Sequence, residues 1–204
     1  MRRSWILGAL ALTGVASADV RITEWAYQGG GGEYIEFTNV GGAPVDMTNW
    51  SFDDDSRTAG VVSLSAFGVV APGASVVLSE AIAGDFAAAW GLAGVAIIGE
   101  NSTNLGRNDE INLFDATGTL VDRLTFGDQN IPGSIRTQNI GGIPSSPAAL
   151  GGNDVLQWQL AVDGDAFGSH TSLFGDVGNP GTYIPEPAAM SMLAVGGLLA
   201  LRRR

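Results

Sequence analysis

Short alternating runs of apolar and polar residues, separated by glycine-rich breaks, dominate the chain and predict strands rather than helices. Residues 19–27 place Val20 and Ile22 on one face. Residues 33–39 (EYIEFTN) place Ile35 and Phe37 on one face, with Glu33, Glu36 and Thr38 as the polar positions around them. Gly41-Gly42-Ala43-Pro44 then reads as a turn. In residues 45–52 the apolar parity switches, because Val45 and Met47 are odd while Trp50 and Phe52 are even. A one-residue slip carries side chains to the opposite face, so a bulge or tight turn is expected at Thr48-Asn49. Residues 53–56 follow as a polar exit loop.

Residues 61–64 and 75–78 read as two more strands, with Pro72-Gly73 turning the chain before the second. Residues 85–92 (DFAAAWGL) form the one helix-like stretch, with Asp85 as its expected N-cap and Phe86 and Trp90 four apart on one face. Residues 95–98 make a further short strand. Residues 109–126 read as a hairpin turning at Thr117-Gly118, with Ile111 and Leu113 inward and Leu120, Asp122, Leu124 and Phe126 sharing a parity on the return. A carboxylate on a core face must be hydrogen-bonded, so Asp122 reads as a structural residue. Residues 129–153 have no period and form a long excursion. Residues 155–162 read as a final strand anchored by Trp158, and residues 167–183 as loops.

The ends do not read as part of this pattern. Residues 1–18 combine Arg2 and Arg3, an apolar run, and Ala16-Ser17-Ala18, the layout of a secretory signal peptide cleaved before Asp19. Residues 185–204 run Pro185-Glu186-Pro187, fourteen uncharged residues and Arg202-Arg203-Arg204. Fourteen helical residues reach roughly 21 Å, short of a hydrocarbon core of roughly 30 Å, so a transient anchor fits better than a permanent span. This tail resembles the PEP-CTERM signal of bacteria that carry an exosortase. The resemblance implies recognition and cleavage near Pro185, Glu186 and Pro187 by a sorting protease, and delivery to the cell surface or an extracellular polysaccharide matrix.

Setting both ends aside sharpens the charge. The chain has 10 basic and 21 acidic residues, of which 5 and 20 remain between residues 19 and 184, a net charge near −15. Such a surface repels nucleic acid and anionic membranes and attracts cations or basic partners. With no cysteine, neither disulfides nor thiolate metal sites are available, and the core alone must hold the domain.

VRITEW (20–25) with EYIEFTN (33–39), PVDMTNWSF (44–52), APG (71–73) and NLGRNDEINLFDATGTLVDRLTFG (104–127) stand in the order found in the lamin-tail domain, which this region resembles. NPG (179–181) is similar to that domain's usual end. The resemblance spans residues 20–127 and implies an all-β, immunoglobulin-like β-sandwich over residues 19–184, with residues 128–184 as a C-terminal extension. It implies a non-catalytic scaffold for interaction and supplies no catalytic or cofactor-binding residues.

Candidate chemistry is sparse. His170 is the one histidine, in a Gly/Ser/Thr loop without a nucleophile elbow, and reads as a surface residue. A secreted hydrolase would need a carboxylate pair, which no aromatic-lined cleft marks out. Calcium wants six to eight oxygens; Asp53-Asp54-Asp55, Asn108-Asp109-Glu110 and Asp163-Gly164-Asp165, the last near Asp176, are the candidates for a calcium-stabilised adhesin. Trp25, Tyr27 and Tyr34 flank the glycine loop and are the candidates for stacking on a polysaccharide. The loop itself, Gly29–Gly32, lacks the residues of a phosphate-binding loop and reads as a flexible connection. The expected protein is therefore an exported surface or matrix module whose partners are polysaccharide or surface proteins.

Overall fold

The structure, a computed structural model, describes residues 19–185. The opening run forms β1 (Val20–Ala26) and the EYIEFTN run forms β2 (Tyr34–Asn39), paired antiparallel. Their register shifts between Ile22 and Glu24. That bulge reconciles even Ile22 with odd Trp25: both enter the core, while Thr23 and Glu24 turn to the other face.

The expected parity switch resolves as a turn. β3 (Val45–Asp46) ends before Thr48-Asn49, where Asn49 takes φ 64°, and β4 (Ser51–Asp53) begins beyond it. β5 (Val62–Ser63), β6 (Val69–Val70) and β7 (Ser75–Ser79) follow, then helix α1 (Ala83–Trp90) and β8 (Ala96–Ile98). The helix starts two residues earlier than expected, and Asp85 lies in its first turn rather than at the cap, which is Ile82. A parallel pair needs a crossover, and α1 supplies it between β7 and β8. β9 (Asn108–Phe114) and β10 (Leu120–Gly127) make the expected hairpin, but a register shift between Leu120 and Asp122 leaves Leu120 exposed.

The long excursion is not featureless. It carries β11 (Gly142–Pro144), which pairs with β1, and β12 (Trp158–Leu160) then pairs with β11. β12 is not the final strand, because β13 (His170–Thr171) and β14 (Val177–Gly178) form a small hairpin within the segment expected to be loops.

One sheet runs β12-β11-β1-β2-β7-β8 and the other β10-β9-β4-β5. Between them lies one core, to which Ile22, Trp25, Phe37 and Leu78 contribute from the first sheet, and Phe52, Ile111, Leu124 and Phe126 from the second. This is the two-layer sandwich of the expected class. The larger sheet is also covered on its outer side. There Phe86, Ala89 and Trp90 of α1 pack on Tyr34 and Val77 in a second apolar cluster. Every residue of β2 and β7 is therefore buried, the polar ones included.

Candidate functional site

The part of the outer face that α1 leaves uncovered is closed by residues 165–183, here called the strap. Asp165 shapes its entry: one carboxylate oxygen accepts from the Val162 amide at 3.0 Å, the other from Phe167 at 2.9 Å and Ser169 at 3.0 Å. The β13–β14 hairpin then lays its return strand beside the excursion, with Val177 donating to Asn139 O at 3.0 Å and accepting from the Gly141 amide at 2.7 Å. His170 is exposed, as expected, and rests edge-on against Trp90 with ring centroids 5.5 Å apart.

Beneath the strap the sheet presents polar groups. Thr23, Thr38 and Ser75 form a chain of hydroxyls, 2.7 Å apart at each step, and Thr23 and Thr38 both donate to Glu36. Glu24 accepts from the Tyr34 hydroxyl at 2.8 Å. The strap completes the network with backbone amides: Asn179 donates to both oxygens of Glu24, at 3.0 and 3.2 Å, and Gly181 donates to Glu36 at 2.7 Å. Such close approach needs glycine, since a Cβ on Gly178 would lie 2.5 Å from Glu24 and one on Gly141 2.0 Å. Burial, and then the charge of Glu36, pushes the Glu24 carboxyl well up; burial lifts Glu36 to about 7. On the neighbouring β2 entry, burial raises Glu33 to about 8, although it accepts from the Leu105 amide at 2.6 Å.

The strap also fastens the glycine loop, which is not the free connection expected. Asp176 accepts from the Gly30 amide at 2.9 Å and the Gly31 amide at 3.0 Å. A surface cleft of about 470 Å³ opens beside that loop. Its walls are Gly29–Gly32, Ala81, Phe86 and Phe174, and its charged groups are Glu80 and Asp85. Phe174 is 59% exposed, and neighbouring Leu173 is 80% exposed. Among the described residues no arginine lines the cleft. Arg21 pairs with Asp19, Arg57 and Arg123 with Glu110, and Arg107 with Asp128, while Arg136 bonds Tyr27 and Gln138.

The other candidates from the sequence scatter. Asp53 is buried and bonds Ser56 at 2.6 Å and the Thr58 amide at 2.7 Å, while Asp54 faces the Ser56 amide at 3.5 Å. Asp55 is exposed in the same turn as Asp54, while Asp163 lies exposed on the distant loop whose amides Asp165 caps. Asp109 bonds the Gly106 amide, and Glu110 holds Arg57. Among the described residues no group of three or more acidic or histidine side chains converges as a metal site. Trp25 and Tyr34 are buried and cannot stack on a sugar, which corrects that reading; Tyr27 is half-buried, its hydroxyl accepting from Arg136 at 3.0 Å. Asp122 is structural, accepting from the Ile22 amide. Ala16, Ala18, Glu186 and Pro187 lie outside the described residues, and Pro185 is the last of those described. Among the described residues no helix is long and apolar enough to cross a membrane.

Sequence reasoning missed Glu24, Glu36, Asp176 and the strap. The signal available was one glutamate in each of the first two strands, and Asn179-Pro180-Gly181 at the domain's end.

Two facing β-sheets with one short α-helix among the described residues make an immunoglobulin-like sandwich. The model of the lamin tail domain matches residues 14–128, more than half of the chain, and the chain belongs to that family. No curated protein and no solved structure matches it.

Proposed function

We propose that this lamin tail domain is a non-catalytic interaction module that engages a basic segment of a surface or matrix protein. The observation that carries this reading is the cleft beside the glycine loop. An exposed aromatic ring, an apolar neighbour and two carboxyl groups that pair with no arginine of the described residues, Glu80 and Asp85, suit a guanidinium or ammonium group with an aliphatic stem. The net charge near −15 steers such partners in from a distance. Glu24 and Glu36 are a cross-strand carboxylate pair of the kind a hydrolase uses, but they lie buried beneath the strap.

The location belongs to the same proposal. Residues 1–18 direct export, and residues 185–204 act as a sorting signal for an exosortase-type protease, so that the domain resides at the cell surface or in the extracellular matrix. Support comes from the three-part order of the tail, with proline–glutamate–proline, a short apolar run and terminal arginines.

Titration of the protein with a tetra-arginine peptide, followed by amide chemical shifts, tests the interaction. Shifts should concentrate at Gly29–Gly32, Asp85 and Phe174, and Phe174→Ala should weaken binding at least fivefold. Diffuse shifts that the substitution leaves unchanged would remove the reading. Mass spectrometry of the mature ends, with and without residues 185–204, tests the route separately.

A further inference from the structure

The strap is held near its C-terminal end by an arrangement with an acid–base consequence. Glu24 and Glu36 are direct cross-strand partners in the β1–β2 register, both on the outer face and both buried. Facing residues in an antiparallel pair lie about 4.5–5.5 Å apart, so two ionised carboxylates there repel strongly in a dry site. Neither touches any of the five arginines of the described residues, which are all engaged elsewhere. The other titratable groups that act on Glu24 are Tyr34 from β2 and Asp165 from the strap, with Asp176 acting on Tyr34 in turn, and none of these brings positive charge; His170 of the strap, paired with Gly178, turns its ring against Trp90 instead. Two amides of the strap, Asn179 and Gly181, are what seal the pair from outside.

We propose that Glu24 and Glu36 form a proton-dependent latch: while the pair holds a proton the strap stays docked on the sheet, and when both carboxyls ionise the strap lifts at Asn179–Gly181. The direction follows from burial. Burial outweighs the Asn179 and Gly181 amides, which by themselves favour the ionised forms, so each carboxyl lies above its ordinary range, Glu36 at about 7, and docking is favoured in acid and weakens as pH rises through neutrality. Because the strap carries Leu173 and Phe174, fastens the glycine loop through Asp176 and leads to Pro185, lifting it would reshape the cleft and free the chain leading to the tail.

The latch does not depend on any partner, so it is read on the strap itself. Amide hydrogen exchange of the full chain, corrected for intrinsic rates, should be compared at pH 6 and pH 9. Protection at Asn179 and Gly181 should fall at least tenfold more than protection in the β9–β10 hairpin. Glu36→Gln and Glu24→Gln, each keeping an acceptor while removing a charge, should hold the strap protected at pH 9. Equal loss of protection in strap and hairpin overturns the latch, as does an unchanged pH response in the folded Gln variants. Should both variants fail to fold, the wild-type comparison alone decides.

Discussion

The carboxylate of Asp122 on β10 accepts a hydrogen bond from the backbone amide of Ile22 on β1, 2.9 Å away, and so ties one sheet of the sandwich to the other. Its second oxygen accepts from the Arg123 amide at 2.8 Å. Burial raises the carboxyl above its ordinary range, and these two amides and Arg21 oppose that rise. Asp122→Ala leaves a buried amide on β1 without a partner and should cost about 2 kcal/mol. Asp122→Asn keeps one acceptor and should cost about half as much. Urea unfolding of both variants checks the order.

The residues beyond 128 should prove essential to the fold. Trp158 on β12 packs edge-on against Trp25, with centroids 5.0 Å apart, and β11 extends the larger sheet beyond β1. A fragment of residues 19–128 loses that cover together with the strap. It should show no cooperative urea transition by near-ultraviolet circular dichroism, whereas residues 19–185 should. In the full chain Trp158→Ala should cost about 3 kcal/mol, the lower end of the range for a buried aromatic, because the indole N–H finds no acceptor among the described residues and its removal relieves that loss.

Asp176 should govern the glycine loop without governing the core. Asp176→Ala frees the Gly30 and Gly31 amides together, and their exchange should accelerate more than tenfold. The β9–β10 hairpin, which Asp176 does not touch, should exchange as before. A Cβ on Gly29 would lie 3.0 Å from the Asp176 carboxylate, so Gly29→Ala should loosen the same contact.

Stability should peak near pH 4.5–5. Glu36, at about 7, and Glu33, at about 8, bind protons more tightly folded than unfolded. Stability from such groups is complete below their unfolded value near 4.5 and is lost as pH rises towards 7–8, with Glu36 contributing on the order of 3 kcal/mol. Glu110, held low by Arg57, acts oppositely. Its contribution is present above the unfolded value and is lost as pH falls below it. The urea midpoint measured from pH 3.5 to 9 should therefore fall on both sides; a plateau from pH 5 to 8 would refute the carboxyl assignments.

The alternation of Ile35 with Phe37 and of Ile111 with Leu113, and the parity switch ahead of Trp50, were legible because strand geometry is local: each side chain's face depends only on its neighbours in sequence. The family followed from the same segments. Local pattern also marked Asp122 as needing partners, though not which amides would supply them. What covers a face is a different matter. Glu36 and Thr38 read as the polar side of a strand, yet Glu36, with Glu24 opposite it, is buried because residues more than 100 positions later in the chain return across the pair. Likewise the glycine loop reads as free until Asp176 arrives to hold it. The sequence by itself determined the strands and their inward faces; the tertiary structure alone decided which outward faces meet water, because that depends on long-range docking that no local periodicity records.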